Sequence, residues 1–140
     1  MTTRAETNKQ FVLDYMDAFR TLDPSIYDAF LAEHPTYMAG MNIRQGRDAF
    51  HANTEAGRVL YPRPDEAETE LLAVIAEGDW VAVLLRRRAI TNKNEDYENI
   101  YGMFYEVREG KIQTQVELLD FRVAAEKFDL SALAPQEPPS

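Results

Sequence analysis

The sequence predicts one α+β domain in which helices come first and a curved, mostly antiparallel sheet follows. Apolar residues recur at helical spacing over the first part of the chain, whereas from about residue 66 their period changes to two. A length of 140 residues with 45% apolar content supports one core and leaves no room for a second. We therefore predict a single domain over residues 1–133 and a mobile tail over residues 134–140, which is rich in proline.

Three helices are predicted in the first half of the chain. The first runs from about Glu6 to Thr21, where an apolar stripe includes Phe11, Tyr15 and Phe19. The other two follow from their boundary signals: a short helix that starts at Asp23-Pro24 and runs through Leu31, and a third that begins just after Gly46 and ends near Gly57 or before Pro62.

Four long strands are predicted in the second half, joined as an antiparallel meander. Gly78-Asp79 forms one tight turn, and Arg108-Glu109-Gly110 forms a three-residue loop with Gly in the left-handed conformation. A short strand and a last helix complete the domain, and Asp120 is a candidate cap for that helix. The expected ranges are Glu66–Glu77, Trp80–Thr91, Tyr97–Val107 and Lys111–Phe121 for the long strands, Thr36–Ala39 for the short strand and Arg122–Phe128 for the helix.

Composition excludes several classes of function. The formal net charge is −9 and the sequence pI is near 4.7, so nucleic acids and anionic membranes would be repelled at long range. The chain has no cysteine, and its two histidines lack the spacing of a metal site. The N-terminus carries no apolar signal core and no stretch approaches the ~20 apolar residues of a membrane span. We expect a cytoplasmic protein with no metal and no cofactor.

A run of three arginines, Arg86-Arg87-Arg88, interrupts the apolar strand that begins at Trp80. Side chains alternate between the two faces of a strand, so the run is split between them. The next strand carries aromatic and soft side chains at its odd positions, which identifies its inward face. Pairing across a four-residue connection, Asn92–Glu95, would then turn Arg86 and Arg88 inward and Arg87 outward.

The same pairing argument brings three of these inward side chains into one row. With the two connections as predicted, Tyr101 lies opposite Arg86 on one side and opposite Glu117 on the other. Asn99 lies opposite Arg88, and Met103 opposite Gln115. A slip of one residue in either hairpin would send one of these side chains to the other face.

A row of this composition suits acid/base chemistry. Burial raises the pKa of a carboxyl group and a neighbouring guanidinium lowers it, so Glu117 could be tuned as a base. Tyr101 or Arg86 could donate to a developing oxyanion. The alternative is a structural ion pair between Arg86 and Glu117 that holds Tyr101 in place.

Several short motifs follow one another along the chain in a distinctive order and spacing. They are Phe11-Val12-Leu13-Asp14-Tyr15-Met16-Asp17-Ala18-Phe19, Phe30-Leu31-Ala32-Glu33 leading to Tyr37, Gly46-Arg47-Asp48-Ala49, Glu109-Gly110-Lys111-Ile112 and Asp120-Phe121-Arg122. In their order and spacing these motifs resemble the NTF2-like superfamily, including its SnoaL-like members. More narrowly, the chain is similar to limonene-1,2-epoxide hydrolase, with ketosteroid isomerase and the polyketide cyclases as broader relatives.

The resemblance implies a cone-shaped α+β barrel, a homodimer formed through the outer sheet face, and an apolar pocket between helices and sheet. Tyr37 matches the water-positioning tyrosine of the epoxide hydrolase. Its Arg-x-Asp pair falls on Leu84 and Arg86, and its second aspartate falls on Glu117, so one carboxylate is replaced by Arg86. Tyr15 matches the oxyanion tyrosine of ketosteroid isomerase.

Together, these arguments predict a cofactor-independent acid/base enzyme of isomerase or cyclase type acting on a small apolar oxygenated molecule, such as a terpenoid, steroid or polyketide. Two alternatives are an epoxide hydrolase and a non-catalytic small-molecule binding or dimerisation module. The expected partners are a small hydrophobic molecule and a second copy of the chain. The predicted catalytic residues are Glu117, Arg86, Tyr101 and Tyr37, and the predicted substrate-binding residues are Tyr15, Phe19, Leu84, Arg88, Asn99, Met103, Gln115 and Leu119.

Overall fold

The computed structural model describes residues 2–133, which form an α+β fold with four helices and six strands. The predicted tail at residues 134–140 lies outside the described residues. Short 3₁₀ turns cover Asp28–Phe30, Pro64–Glu66 and Leu130–Ala132. The helices are α1 (Arg4–Phe19), α2 (Pro24–Tyr27), α3 (Arg47–Leu60) and α4 (Phe121–Lys127), and the strands are β1 (Leu31–Ala39), β2 (Asn42–Gln45), β3 (Glu68–Glu77), β4 (Trp80–Ile90), β5 (Asp96–Arg108) and β6 (Lys111–Leu119).

The six strands form one curved sheet in the order β2-β1-β6-β5-β4-β3. The meander of β3 to β6 is antiparallel, as predicted, and β1 joins it by pairing in parallel with β6. Strands β2 and β3 are edges, so the sheet is open rather than a closed barrel. The predicted α+β class with helices on a mostly antiparallel sheet is confirmed. None of the described helices is both long and apolar enough to cross a membrane.

Side-chain caps set the beginnings of three helices, α1, α2 and α4. Thr3 and Glu6 form a reciprocal capping box at α1. Asp23 accepts from the backbone N–H of Ser25 at α2, with Pro24 in the first turn, and Asp120 caps α4. The predicted roles of the Asp23-Pro24 pair and of Asp120 are therefore confirmed.

Two predictions on the β1 side of the sheet are wrong. The second helix does not continue through Leu31, because that residue starts β1 and pairs with Ile112 of β6. Leu31 is only 1% exposed, so its burial in the sheet outweighs the helical pattern. The short strand β2 was not predicted; it returns after a turn in which Gly40 has φ of 58°.

The pairing of β5 with β6 differs from the prediction by two residues. The connection is a two-residue turn, because Arg108 pairs with Lys111 and both Glu109 and Gly110 have positive φ. This turn accounts for one residue of the difference, and an irregularity in the pairing after Glu106 accounts for the other. Since side chains alternate with a period of two, the inward residues stay inward. The observed pairs are Tyr101 with Leu119, Met103 with Glu117, and Tyr105 with Gln115.

The pairing of β4 with β5 differs by one residue, and this reverses the faces of the arginine run. Ile90 pairs with Asp96, which leaves five connecting residues instead of four. The extra residue is Thr91, whose side chain is 1% exposed and accepts hydrogen bonds from the backbone N–H groups of Lys93 and Glu95. Because of this slip, Arg87 pairs with Asn99 on the inner face.

Consequently, Arg86, Arg88 and Leu84 lie on the outer face, contrary to the prediction. Arg86 is 3.4 Å from Glu70 and 3.3 Å from Glu98, and Arg88 is 3.5 Å from the same Glu98 oxygen. These ion pairs are partly exposed, and such pairs contribute at most about 1 kcal/mol each. They satisfy the outward arginines without any role for them in the interior.

Tyrosine dominates the interior between the helices and the inner face of the sheet. The chain has seven tyrosines, and six of them are at most 5% exposed: Tyr15, Tyr27, Tyr37, Tyr97, Tyr101 and Tyr105. Burial is the largest cause that raises the pKa of each of these phenols above the ordinary value of 10. At neutral pH they are therefore uncharged groups that can donate hydrogen bonds.

These buried phenols predict a loss of stability at alkaline pH. The unfolded chain releases its tyrosine protons near pH 10, whereas the folded chain retains them to higher pH. The free energy of unfolding should stay constant up to about pH 9. Above pH 10 it should fall by up to about 1.4 kcal/mol per pH unit for each buried tyrosine.

The measurement is urea unfolding over a pH series, combined with phenolate absorbance. Tyr105→Phe keeps the ring and should make the fall less steep. If all the phenols ionise near pH 10 while the protein stays folded and equally stable, the buried placement of the tyrosines is contradicted.

Candidate functional site

A carboxylate and a phenol meet on the inner face where β1 runs parallel to β6. The hydroxyl of Tyr37 donates to Oε2 of Glu117 at 2.7 Å. Tyr37 is 5% exposed and its ring packs edge-on against Phe50, with centroids 5.2 Å apart. Burial, followed by the charge of Glu117 and this hydrogen bond, raises the pKa of Tyr37 well above its ordinary value. Tyr37 therefore stays protonated and holds one carboxylate oxygen in place.

A second cluster of phenols lies at the end of the inner face near α4. The hydroxyls of Tyr97 and Tyr101 are 2.7 Å apart, and those of Tyr61 and Tyr101 are 3.4 Å apart. The Asn99 amide nitrogen donates to the Tyr97 hydroxyl at 2.8 Å and to the backbone oxygen of Asp120 at 3.0 Å. Burial and the neighbouring Tyr61 raise the pKa of Tyr101 far above its ordinary value. The cluster is a connected set of neutral donors and acceptors.

Arg87 adds a positive charge to this cluster. Its guanidinium carbon lies over the ring of Tyr101, 4.9 Å from the centroid. Burial lowers the pKa of Arg87, but the influence of Tyr61, Tyr101 and Glu117 outweighs it, so the net shift is upward and the group stays charged. A cation–π contact contributes roughly 2 kcal/mol when desolvated, less than the several kcal/mol that removing an ion from water costs.

Other predicted binding residues lie inside but are engaged in packing. The Tyr15 hydroxyl donates to Oε1 of Gln115 at 2.6 Å, and both residues are at most 2% exposed. Phe19 packs against Tyr15 with ring centroids 5.6 Å apart. Met103 and Leu119 belong to the same interior. These five residues therefore belong to the packed interior.

The structure thus brings together Tyr37, Glu117, Tyr101 and Asn99 on the inner face and keeps Arg86, Arg88 and Leu84 outside. The predicted row of Arg86, Tyr101 and Glu117 does not form. Sequence reasoning missed Arg87 and Tyr61. The face on which Arg87 lies depends on the length of one loop. Tyr61 lies in the segment that ends α3, and no sequence pattern there indicates its contact with Tyr101.

The interior is closed by the last part of the described chain. Phe128, which is 4% exposed, packs edge-on against Tyr61 and Tyr97, with centroids 5.1 and 4.7 Å apart. Glu117, Arg87 and Tyr61 remain partly exposed. Phe128 therefore covers the end of the inner face that carries the phenol cluster.

Two surface grooves of about 460 Å³ each lie beside this interior rather than in it. One is at the opposite end of β5, beside Arg4, Asp79 and Glu109. The other is lined by Arg86, Glu98, Asn99, Ile100, Asp120 and Val123, and touches the site only at Asn99. Neither groove is the apolar pocket that the resemblance implies. Within residues 2–133, no group of three or more histidine and carboxylate side chains is arranged to hold a metal ion.

Solved structures of similar fold include an NTF2-like protein from Burkholderia xenovorans LB400, which is 18% identical, with a TM-score of 0.75 and coverage of 91% of this chain and 100% of that one. A protein from Jannaschia sp. CCS1, assigned as a SnoaL-like polyketide cyclase, is 15% identical, with a TM-score of 0.78 and coverage of 97% and 99%. At these identities the similarity establishes the fold. A comparison with curated proteins finds no match for this chain.

The family relationship follows from the sequence itself. The family model described as a SnoaL-like domain matches residues 12–115, which span the second half of α1, all elements from α2 to β5 and the first part of β6. This is well over half of the chain, and the fold comparison agrees with it. The chain therefore belongs to the SnoaL-like domain family.

Proposed function

We propose that this protein is an acid/base enzyme that acts on a small, largely apolar, oxygenated molecule, with Glu117 as the base. The observation that carries the proposal is the 2.7 Å hydrogen bond from Tyr37 to Glu117 on the inner face. A carboxylate held by a permanently protonated phenol has a fixed direction and keeps its other oxygen available for a proton. The proposed proton transfer uses side chains of this chain alone.

The chemistry we favour is isomerisation or cyclisation through an enol. Glu117 would take a proton from a carbon next to a carbonyl group, and the electron pair of that C–H bond would move towards the carbonyl oxygen. A protonated phenol such as Tyr101 could donate a hydrogen bond to the oxygen as its negative charge develops. The Jannaschia protein shares this fold and is assigned as a polyketide cyclase, which supports the hypothesis of a cyclase.

Epoxide hydrolysis is the weaker alternative. Tyr37 lies where the resemblance places a water-positioning tyrosine, and its bond to Glu117 suits that role. The companion positions, Leu84 and Arg86, face outward, however, and their inward neighbours Leu85 and Arg87 are not carboxylates. A hydrolase would therefore lack the second acid that ring opening requires.

Access to the site would require a movement at the end of the inner face. Tyr37 and Tyr101 are 5% and 3% exposed, so a ligand must displace a side chain to contact them. Phe128 is the side chain that closes this end, at the residue after α4. We place the route for the ligand there, past Tyr61.

Replacing Glu117 by glutamine tests the proposed base. Glu117→Gln keeps the size and the Tyr37 contact but cannot accept a proton, so turnover should fall by roughly 10²- to 10⁴-fold. Steady-state kinetics with a panel of enones, lactones and epoxides is the measurement.

Glu98→Gln makes the same chemical change on the outer face and should keep full activity, since that residue pairs only with Arg86 and Arg88 there. Equal turnover by wild type and Glu117→Gln would remove Glu117 as the base.

We also propose that the outer sheet face binds a second copy of the chain, which would serve either the enzyme or a non-catalytic dimerisation module. Large apolar side chains are exposed across this face, and the arginines between them are paired with Glu70 and Glu98. The apolar side chains, each 38–63% exposed, are Ile75, Trp80, Leu84, Ile100, Phe104 and Leu118.

Sedimentation velocity tests this interface. The wild type should sediment as a dimer, and Leu84→Glu should sediment as a monomer because it places a charge among these apolar groups. Met41→Glu is the control, since Met41 is 94% exposed at the turn between β1 and β2. A monomeric wild type, or a Leu84→Glu variant that remains dimeric, would contradict the proposal.

A further inference from the structure

Arg87 forms no salt bridge with any of the described residues, although the charge of Glu117 raises its pKa. Salt bridges to Glu70 and Glu98 satisfy its neighbours Arg86 and Arg88. No carboxylate oxygen of residues 2–133 lies within 4 Å of Arg87. Its contact in the described structure is the Tyr101 ring, and the phenol of Tyr61 helps to raise its pKa. Burial raises the pKa of Tyr101, so its phenol is neutral at physiological pH.

The donor capacity of Arg87 is also largely unused. A guanidinium carries five N–H donors in a fixed planar fork, and one phenol oxygen cannot satisfy them. No buried polar side-chain atom in the described part of the chain lacks a hydrogen-bond partner, so the remaining donors of this partly buried group still reach solvent. A water-accessible guanidinium fork over an aromatic ring is a geometry that receives a planar anionic oxygen pair.

The rest of the interior indicates which kind of ligand would carry this anionic group. The guanidinium lies over the Tyr101 ring, and Tyr61, Tyr97 and Phe128 pack together at the same end of the interior. Among the described residues, Glu117 is the carboxylate of the site; it is held by Tyr37, although its charge still reaches Arg87. A ligand between these groups would place its anionic end at Arg87 and its apolar part against the rings.

We propose that Arg87 is the ligand-anchoring residue of the site and that it binds the carboxylate of a small aromatic or apolar acid. This inference rests on the proposed function in that the ligand occupies the same interior, but it specifies a ligand charge that the proposed function leaves open. Arg87 then fixes one end of the molecule while the Tyr37–Glu117 pair faces the other.

Binding of matched acid and amide probes tests the proposal. Phenylacetate and benzoate are each compared with their neutral amides, phenylacetamide and benzamide, by isothermal calorimetry. The wild type should bind each acid at least about tenfold more tightly than its amide, since a hydrogen bond to a charged partner is stronger than one to a neutral partner. Equal affinity for acid and amide, or no binding of either, would overturn the proposal.

The arginine run supplies its own controls. Arg87→Met should abolish the preference for the acids and leave the amides almost unaffected. Arg88→Met removes an arginine that is paired on the outer face and should keep the full preference. Arg87→Lys keeps the charge without the fork and should retain part of the preference, which keeps the test informative if Arg87→Met does not fold. A preference that survives Arg87→Met would overturn the proposal.

Glu117→Gln separates this inference from the proposed function. It should keep the preference for the acids, or increase it, because it removes a negative charge from the interior. A variant that keeps both the preference and wild-type turnover would contradict Glu117 as the base while supporting Arg87 as the anchor. If Glu117→Gln loses turnover while the wild type shows no preference for the acids, Glu117 is supported as the base and Arg87 is contradicted as the anchor.

Discussion

The pairing of β4 with β5 is the constraint on which the site depends. Thr91 fixes it, because its buried hydroxyl accepts from two backbone N–H groups of the connecting loop and makes that loop five residues long. With this length Arg87 faces the phenols and its two neighbours face outward. A connection one residue shorter would bring two arginines into the interior and leave the outer glutamates without their partners. The loop therefore sets the charge of the whole inner face.

The interior that results is polar yet almost free of charge. Six tyrosines are buried, each at most 5% exposed. Burial raises the pKa of their hydroxyls, so they remain hydrogen-bond donors at neutral pH. Against this background the two charged groups, Glu117 and Arg87, have distinct surroundings. Glu117 is held by a phenol in hydrogen-bond contact, while Arg87 lies against a ring face. One of them is suited to accept a proton and the other to hold an anion.

Much of this fold could be predicted from short-range patterns. The Asp23-Pro24 helix start, the Asp120 cap and the meander of four strands depend on neighbours in sequence, and each is confirmed. Strand register was harder, because it depends on the length of a loop. The register predicted for β5 and β6, which are joined at Gly110, was wrong by two residues and still put Glu117 on the inner face. The register predicted for β4 and β5, which are joined at Thr91, was wrong by one residue and put Arg86 there instead of Arg87. The contact of Tyr61 with Tyr101 joins segments 40 residues apart, and no local pattern encodes it.

The inward orientation of Arg87 is tested most directly by NMR of the arginine Nε–H groups, with each signal assigned by substituting one arginine of the run at a time with lysine. The structure predicts that the Arg87 signal is shifted upfield by the Tyr101 ring, while the signals of Arg86 and Arg88 lie at ordinary positions. An upfield-shifted signal from Arg86 or Arg88, with an ordinary one from Arg87, would contradict the register and the site built on it.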